Sequence, residues 1–145
     1  MFVHPTADVH PSAKIGEGTR IWQFVVIGKG VVIGDDCNIC SHVYIEDSVE
    51  VGDRVTIKNG ARLYRGVTIQ SEVFVGQNAV FTNDTSPRSK VYKPVEDTLV
   101  RHGASIGANA VIFPVQVGFW AMIGAGSVVT KDVPDHATVK GVPAR

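Results

Sequence analysis

Residues 25–39 read Val25-Val26-Ile27-Gly28-Lys29-Gly30-Val31-Val32-Ile33-Gly34-Asp35-Asp36-Cys37-Asn38-Ile39. Ile27, Ile33 and Ile39 recur at a step of six, and two places ahead of each stands a small or β-branched residue: Val25, Val31 and Cys37. Upstream, the same step passes through Val3, Val9, Ile15 and Ile21. Downstream it passes through Ile45, Val51, Ile57, Leu63, Ile69, Val75 and Phe81. The companion series holds Ala7, Ala13, Thr19, Val43, Val49, Val55, Ala61, Val67, Val73 and Ala79. Side chains alternate along an extended strand, so both members of a hexad's pair face one way. Each hexad therefore supplies a short strand with two inward residues and then a corner.

Three such strands close a triangle, and triangles stack at roughly 4.8 Å, the spacing between paired strands. The expected fold is all-β: a parallel β-helix of about seven triangular coils, forming a single domain over 1–145. No window carries the i, i+3, i+4, i+7 pattern of a helix. Glycine follows many anchors, as at Gly16, Gly28, Gly34, Gly52 and Gly76. Those positions are expected to be where the corner demands an unusual backbone angle.

The phase breaks after Phe81. Thr82 to Leu99 is polar and holds Pro87 and Pro94, which predicts an excursion loop near 82–99 leaving one corner. The repeat resumes at Val100, Ile106 and Ile112, then at Val117, Ile123 and Val129. The step from Ile112 to Val117 is five residues, which predicts a tightened corner at Pro114-Val115.

Lys plus Arg equals Asp plus Glu at 14 each, so no basic field points to nucleic acid. No apolar run approaches membrane-spanning length and no secretory start is visible, so a cytoplasmic location is the expectation. Cys37 and Cys40 form a lone Cys-x-x-Cys. It lacks the second ligand pair of a zinc site, and one cysteine falls inward while the other falls at a corner.

Several motifs carry a family likeness. They are Arg20-Ile21-Trp22, Val73-Phe74-Val75-Gly76, Phe81-Thr82-Asn83-Asp84-Thr85-Ser86-Pro87-Arg88 and Gly103-Ala104-Ser105-Ile106-Gly107-Ala108-Asn109. A last one runs from Gly124-Ala125-Gly126 to Lys131-Asp132-Val133-Pro134. Over its whole length the chain resembles the hexapeptide-repeat acyltransferases. The stretches around Cys40-Ser41-His42 and Gly52 to Lys58 resemble the subgroup that N-acetylates dTDP-linked 3-amino-3,6-dideoxyhexoses for cell-surface polysaccharides such as O-antigen and S-layer glycans. The resemblance implies a left-handed coil, an exception to the usual right-handed crossover. It also implies a homotrimer with active sites between subunits, acetyl-CoA as co-substrate, and no metal. The outward aromatics Trp22, Phe24, Phe74 and Trp120 suit such an assembly.

On this likeness the catalytic candidates are Asn83 and Asp84, with Asp84 orienting or deprotonating the amine. His42, Lys58, Asn59, Tyr64 and Arg88 are candidates for holding the nucleotide-sugar, and Ala108, Ala125 and Lys131 for holding the cofactor. Each has a plainer role open to it. Asn and Asp at a loop entry often cap a turn, His42 suits a corner facing solvent, and exposed Lys and Arg are commonly just solvated. His102, just past the loop, is a lesser candidate for a base. Other functions remain to be weighed. A zinc hydratase of the γ-carbonic anhydrase kind uses the same coil, but needs converging histidines in a pattern missing here. A non-catalytic scaffold would not need the loop. Among transferases, a UDP-linked amino sugar or a small acceptor such as an amino acid is the alternative substrate.

Overall fold

In the computed structural model, which describes residues 1–145, the chain winds as a three-sided parallel β-helix without an α-helix. The first face stacks eight strands: Phe2–Val3, Arg20–Ile21, Asn38–Ile39, Thr56–Ile57, Phe74–Val75, Ser105–Ile106, Met122–Ile123 and Thr138–Val139. The second face holds seven: Asp8–Val9, Val26–Ile27, Tyr44–Ile45, Arg62–Leu63, Val80–Phe81, Val111–Ile112 and Val128–Val129. The third holds six: Lys14–Ile15, Val32–Ile33, Glu50–Val51, Val67–Ile69, Thr98–Val100 and Gln116–Val117. Val133 extends it by a single bridge to Val117. Seven coils are complete and an eighth begins, as the repeat predicts.

The anchors fill the interior. Ile21, Ile39, Ile45, Ile57, Leu63, Phe81, Ile106 and Ile112 are wholly buried, and the companion series packs between them. Polar members of that series are satisfied by backbone. Thr19 Oγ1 donates to Gly34 O at 2.7 Å and accepts from Cys37 N at 3.0 Å. The Cys37 thiol points at Gly52 O, 3.1 Å away. Cys40 is also buried, at a corner, and burial pushes both thiols above the ordinary cysteine range. Neither is poised to react, because the thiolate is the reactive form.

The glycines after the anchors do not do what the sequence suggests. From the third corner onward the left-handed residue is the third of a regular corner, not the first: Phe24, Asp36, His42, Ser48, Arg54, Glu72, Asn78, Asn109 and Trp120 all have φ between 52° and 65°. Gly16, Gly34, Gly52 and Gly76 keep ordinary φ and are needed for closeness. A Cβ on Gly52 would stand 2.7 Å from Ser71 N of the next coil, and one on Gly76 2.6 Å from Ala108 N.

Three edges join the faces. Strand partners lie 18 residues apart through the first coils, as in Ile21 with Ile39 and Ile27 with Ile45. The separation becomes 31 across the excursion, as in Val75 with Ile106. It then falls to 17 for Ile106 with Ile123 and to 16 for Ile123 with Val139. All three irregularities sit on the second edge, between the second and third faces. The loop occupies 82–97, two residues shorter than expected, because Thr98 already pairs with Val67 and is buried. The five-residue step is absorbed by Val115, which turns inward one residue early.

Candidate active site

The second edge departs from the repeat, and its loop is a folded unit. Its neck closes where Glu96 N donates to Asn83 O at 3.0 Å, and where Thr85 N donates to the Glu96 carboxylate at 2.9 Å. Lys93 reaches back to Ser86 O at 2.8 Å, Ser86 Oγ at 2.7 Å and Asp84 Oδ1 at 2.9 Å. Beyond this clamp the tip exposes Arg88, Lys90 and Tyr92.

Asn83 and Asp84 both have structural duties here. Asn83 Nδ2 donates to Arg65 O at 2.9 Å, tying the loop entry to the preceding coil. Asp84 Oδ1 accepts from Ser86 N at 2.9 Å and from Lys93, while no partner engages Oδ2. The Lys93 hydrogen bond first, and the Ser86 N–H second, hold the Asp84 carboxyl below the ordinary range. A carboxylate so held orients a positive group well but keeps a proton poorly.

The other sequence candidates fall into two columns. His42, Lys58, Asn59, Ala108 and Ala125 all lie on the first edge, in the third, fourth, sixth and seventh coils. There His42 stacks on Phe24 with centroids 5.2 Å apart, and Asn59 Nδ2 donates to Ser41 Oγ at 2.8 Å. Tyr64, Arg88 and Lys131 lie on the second edge with Asn83 and Asp84; Tyr64 packs against Tyr44 at 5.7 Å. A face of about five residues, roughly 16 Å, separates the two columns. Within one chain the structure therefore does not bring the cofactor candidates Ala108 and Ala125 to Asn83, nor to Lys131.

The two columns differ electrostatically. On the other edges several corner amides are capped by side chains of an adjacent coil: Glu17 N donates to Asp35, Asp35 N to Asp53 and Lys29 N to Asp47 of the next coil, and Arg65 N to Glu46 of the preceding one. On the first edge the N–H groups of Asn59, Gln77, Ala108 and Ala125 engage no acceptor in the chain. They form a ladder of free donors at coil spacing, beside small residues that let a ligand approach.

The sequence undervalues His102. It lies on the third edge, where Nε2 is 2.8 Å from Glu72 Oε2 and its own N–H donates to Gln70 Oε1 at 2.9 Å. Its ring meets Trp120 edge-on at 5.4 Å, and the Trp120 indole lies flat over Gly103. His102 borders an open cavity of about 580 Å³ on the third face, with Glu50, Thr68 and Gln70. A second cavity of about 500 Å³ adjoins it, lined by Glu50, Arg65, Thr68 and the loop residues Val95 and Asp97. Together they make a groove across the third face from the loop neck to His102.

Of the outward aromatics, Trp22 is satisfied internally, its Nε1 donating to Asn38 Oδ1 at 2.7 Å and its ring packing on Phe2. Phe24, Phe74 and Trp120 stay exposed. No group of three His, Cys, Asp or Glu side chains is arranged to hold a metal, and no helix is long and apolar enough to cross a membrane.

The family description "Bacterial transferase hexapeptide (six repeats)" matches residues 12–47 and 30–65, and "Hexapeptide repeat of succinyl-transferase" matches 103–131. Serine acetyltransferase of Escherichia coli K12 is 38% identical over 113 residues, covering 71% of this chain and 41% of that protein. The dTDP-3-amino-3,6-dideoxy-α-D-galactopyranose 3-N-acetyltransferase of Aneurinibacillus thermoaerophilus is 59% identical over 49 residues, 33% of this chain and 26% of that one. Among solved structures, a histidine-to-alanine mutant of GDP-perosamine N-acetyltransferase from Caulobacter crescentus, with CoA and GDP-perosamine, covers 99% of this chain. Its TM-score is 0.65 at 26% identity, and this chain spans 54% of it. The acetyltransferase domain of PglB from Neisseria gonorrhoeae aligns likewise, at TM-score 0.60 and 26% identity. The chain thus spans about half the length, or less, of these relatives.

Proposed function

Because this chain belongs to the hexapeptide-repeat transferase family, we propose that it transfers an acetyl group from acetyl-CoA to the 3-amino group of a dTDP-linked 3-amino-3,6-dideoxyhexose. The observation that carries this reading is the gathering of every departure from the repeat on the second edge. There, loop 82–97 walls a groove on an otherwise regular solenoid. Two likenesses support the chemistry: the local match to the dTDP-amino-sugar enzyme, and the similarity in fold to a perosamine enzyme holding CoA. The setting is cytoplasmic synthesis of surface-polysaccharide precursors.

The functional unit in this reading is a homotrimer, which the separation of each chain's free amide ladder and its loop by a whole face supports. In the trimer, the first edge of one subunit faces the loop edge of the next. Ala108 and Ala125 N–H groups bind the amide-bearing arm of acetyl-CoA, and a corner N–H polarises the thioester oxygen. Lys131 and Arg88 meet phosphates, while His42, Lys58, Asn59 and Tyr64 contact the sugar nucleotide. Asn83 positions the sugar, and ionised Asp84 orients the amine. The neutral amine attacks the thioester carbonyl: a C–N bond forms, the C–S bond breaks, and the proton lost by nitrogen ends on the departing thiolate. His102, supported by Glu72, lies across the third face from Asp84 and would reach that proton only from the far end of the groove.

A second reading has its own support. The 38% identity with serine acetyltransferases extends over 113 residues, which favours a small hydroxyl acceptor. One assay separates the two: CoA thiol release with acetyl-CoA and dTDP- or UDP-linked 3- and 4-amino sugars, alongside L-serine. Turnover with a dTDP-3-amino sugar is the expected result. Turnover with serine alone overturns the amino-sugar reading, and a protein that binds no acetyl-CoA overturns the transferase reading itself. Asp84→Asn with near-normal turnover removes Asp84 from the reaction.

A further inference from the structure

The third-face groove is lined by three charges that nothing in the chain neutralises: Glu50, Arg65 and Asp97. Glu50 is the only carboxylate among that face's outward strand positions, which otherwise present Lys14, Val32, Thr68, Leu99 and Gln116. It forms no ion pair, since the salt bridges are Arg54–Glu72, Lys93–Asp84 and His102–Glu72. The Arg65 backbone is fully used, its N–H by Glu46 and its carbonyl by Asn83, but its guanidinium has no partner. Glu50 and Arg65 line the same cavity without closing on each other. Asp97 stands at the loop side of this cavity, and the His102–Glu72 pair stands at the far end of the adjoining one.

A cleft with a free guanidinium on one wall and a free carboxylate on its floor matches a ligand that carries an anion and a cation a few ångströms apart. A sugar nucleotide with an amino group is such a ligand. We propose that the third-face groove is the acceptor subsite: Arg65 takes the diphosphate, and Glu50 takes the sugar ammonium and so selects an amine over a hydroxyl. This deepens the transferase reading and rests on it for the identity of the ligand. Glu50 holds the cationic form on arrival. One proton passes to solvent before attack, and the next follows the path through His102.

The test is equilibrium binding, which does not depend on turnover. The probes are dTDP-3-amino-3,6-dideoxygalactose and its 3-hydroxy counterpart, dTDP-6-deoxygalactose, with wild type, Glu50→Gln and Arg65→Met, each checked for native melting. Wild type is expected to prefer the amine by about tenfold or more, the usual gain from a charge-assisted hydrogen bond. Glu50→Gln should bring the ratio near one. Arg65→Met should weaken both ligands about equally and leave the ratio intact. A wild-type ratio near one, a ratio unchanged in Glu50→Gln, or no binding of either ligand overturns the proposal. Amine-selective binding without thiol release leaves the subsite standing and removes the transferase reading. Normal thiol release by Glu50→Gln, at unchanged KM for the amine, does the reverse.

Discussion

Two glycines of this solenoid serve different ends, and exchanging each for alanine separates them. At Gly126 the backbone is left-handed, with φ of +71°, and no atom lies within 4 Å of where a Cβ would sit. Alanine there bears only the backbone cost, about 1–2 kcal/mol, partly offset by about 0.4–1 kcal/mol from a stiffer unfolded chain. The net loss should be about 1 kcal/mol. At Gly52 the backbone is ordinary, but a Cβ would stand 2.7 Å from both Ser71 N and Ser71 Oγ and 3.0 Å from Gln70 C. The next coil must retreat by roughly half an ångström to reach ordinary contact, an overpacking cost of about 1–3 kcal/mol. That retreat stretches the bonds from Gly52 N to Ile69 O at 2.8 Å and from Asp53 N to Ser71 Oγ at 2.9 Å. Each is worth about 1 kcal/mol, so Gly52→Ala should lose about 3–4 kcal/mol. For a chain of this length, roughly 3 °C of Tm accompanies each kcal/mol. Thermal melts followed by circular dichroism should then fall by about 3 °C for Gly126→Ala and about 10 °C for Gly52→Ala. Gly126→Asn should melt close to wild type, because Asn78 and Asn109 already occupy the equivalent corner place. Equal losses, or a greater loss at Gly126, would refute the assignment of first-corner glycines to close packing.

Two further expectations concern the site. Asp84 has a depressed pKa, so the Lys93 clamp is complete above the ordinary carboxylate range and is lost only as pH falls through the lower folded value. Proteolysis of the loop tip should stay slow down to about pH 4, the ordinary Asp value, and accelerate below it. Lys93→Met should cleave quickly at neutral pH, and equal rates for the two proteins would remove the clamp. His102→Asn should lower kcat by about a hundredfold if the imidazole relays the proton, with KM for the acceptor little changed. Glu72→Gln should cause a smaller fall in kcat, because it removes the carboxylate that holds the imidazole at 2.8 Å. An unchanged kcat in both variants would leave the pair as a corner brace.

What the sequence discloses is the interior. The anchors from Ile21 to Phe81 announce themselves by type and step, and all of them are buried as the period requires. Thr98 escaped that reading because a polar residue after Asp97 looks like loop. It instead fills a small inward slot, as Thr19 does in an earlier coil. The left-handed corner place was obscured because glycine also occurs at the first corner position, for the separate reason of backbone closeness. The site was less legible. Glu72 and His102 are thirty residues apart, and the insertion between them hides that they occupy neighbouring coils. The Asp84–Lys93 clamp follows no period, and only the folded loop brings its ends together. Arg65 and Glu50 belong to strands and corners that look like ordinary solvated surface until the groove is seen.

The shortening of the coils after Ile106 has a consequence for stacking. An open stack of parallel strands is a template for more of the same, and a regular solenoid could lengthen by docking end upon end. This one narrows as it rises, its tread shrinking from 18 residues to 17 and then 16. The perimeter so lost is about 7 Å, two residues of extended chain. A broad coil from another molecule laid on the narrow end could register on one side only. The closing turn takes away even part of that purchase, since Val128 N donates to Gly141 O at 3.0 Å and Ala144 N to Val128 O at 2.9 Å. Over these coils the mismatch of circumference opposes end-upon-end docking of a broad coil.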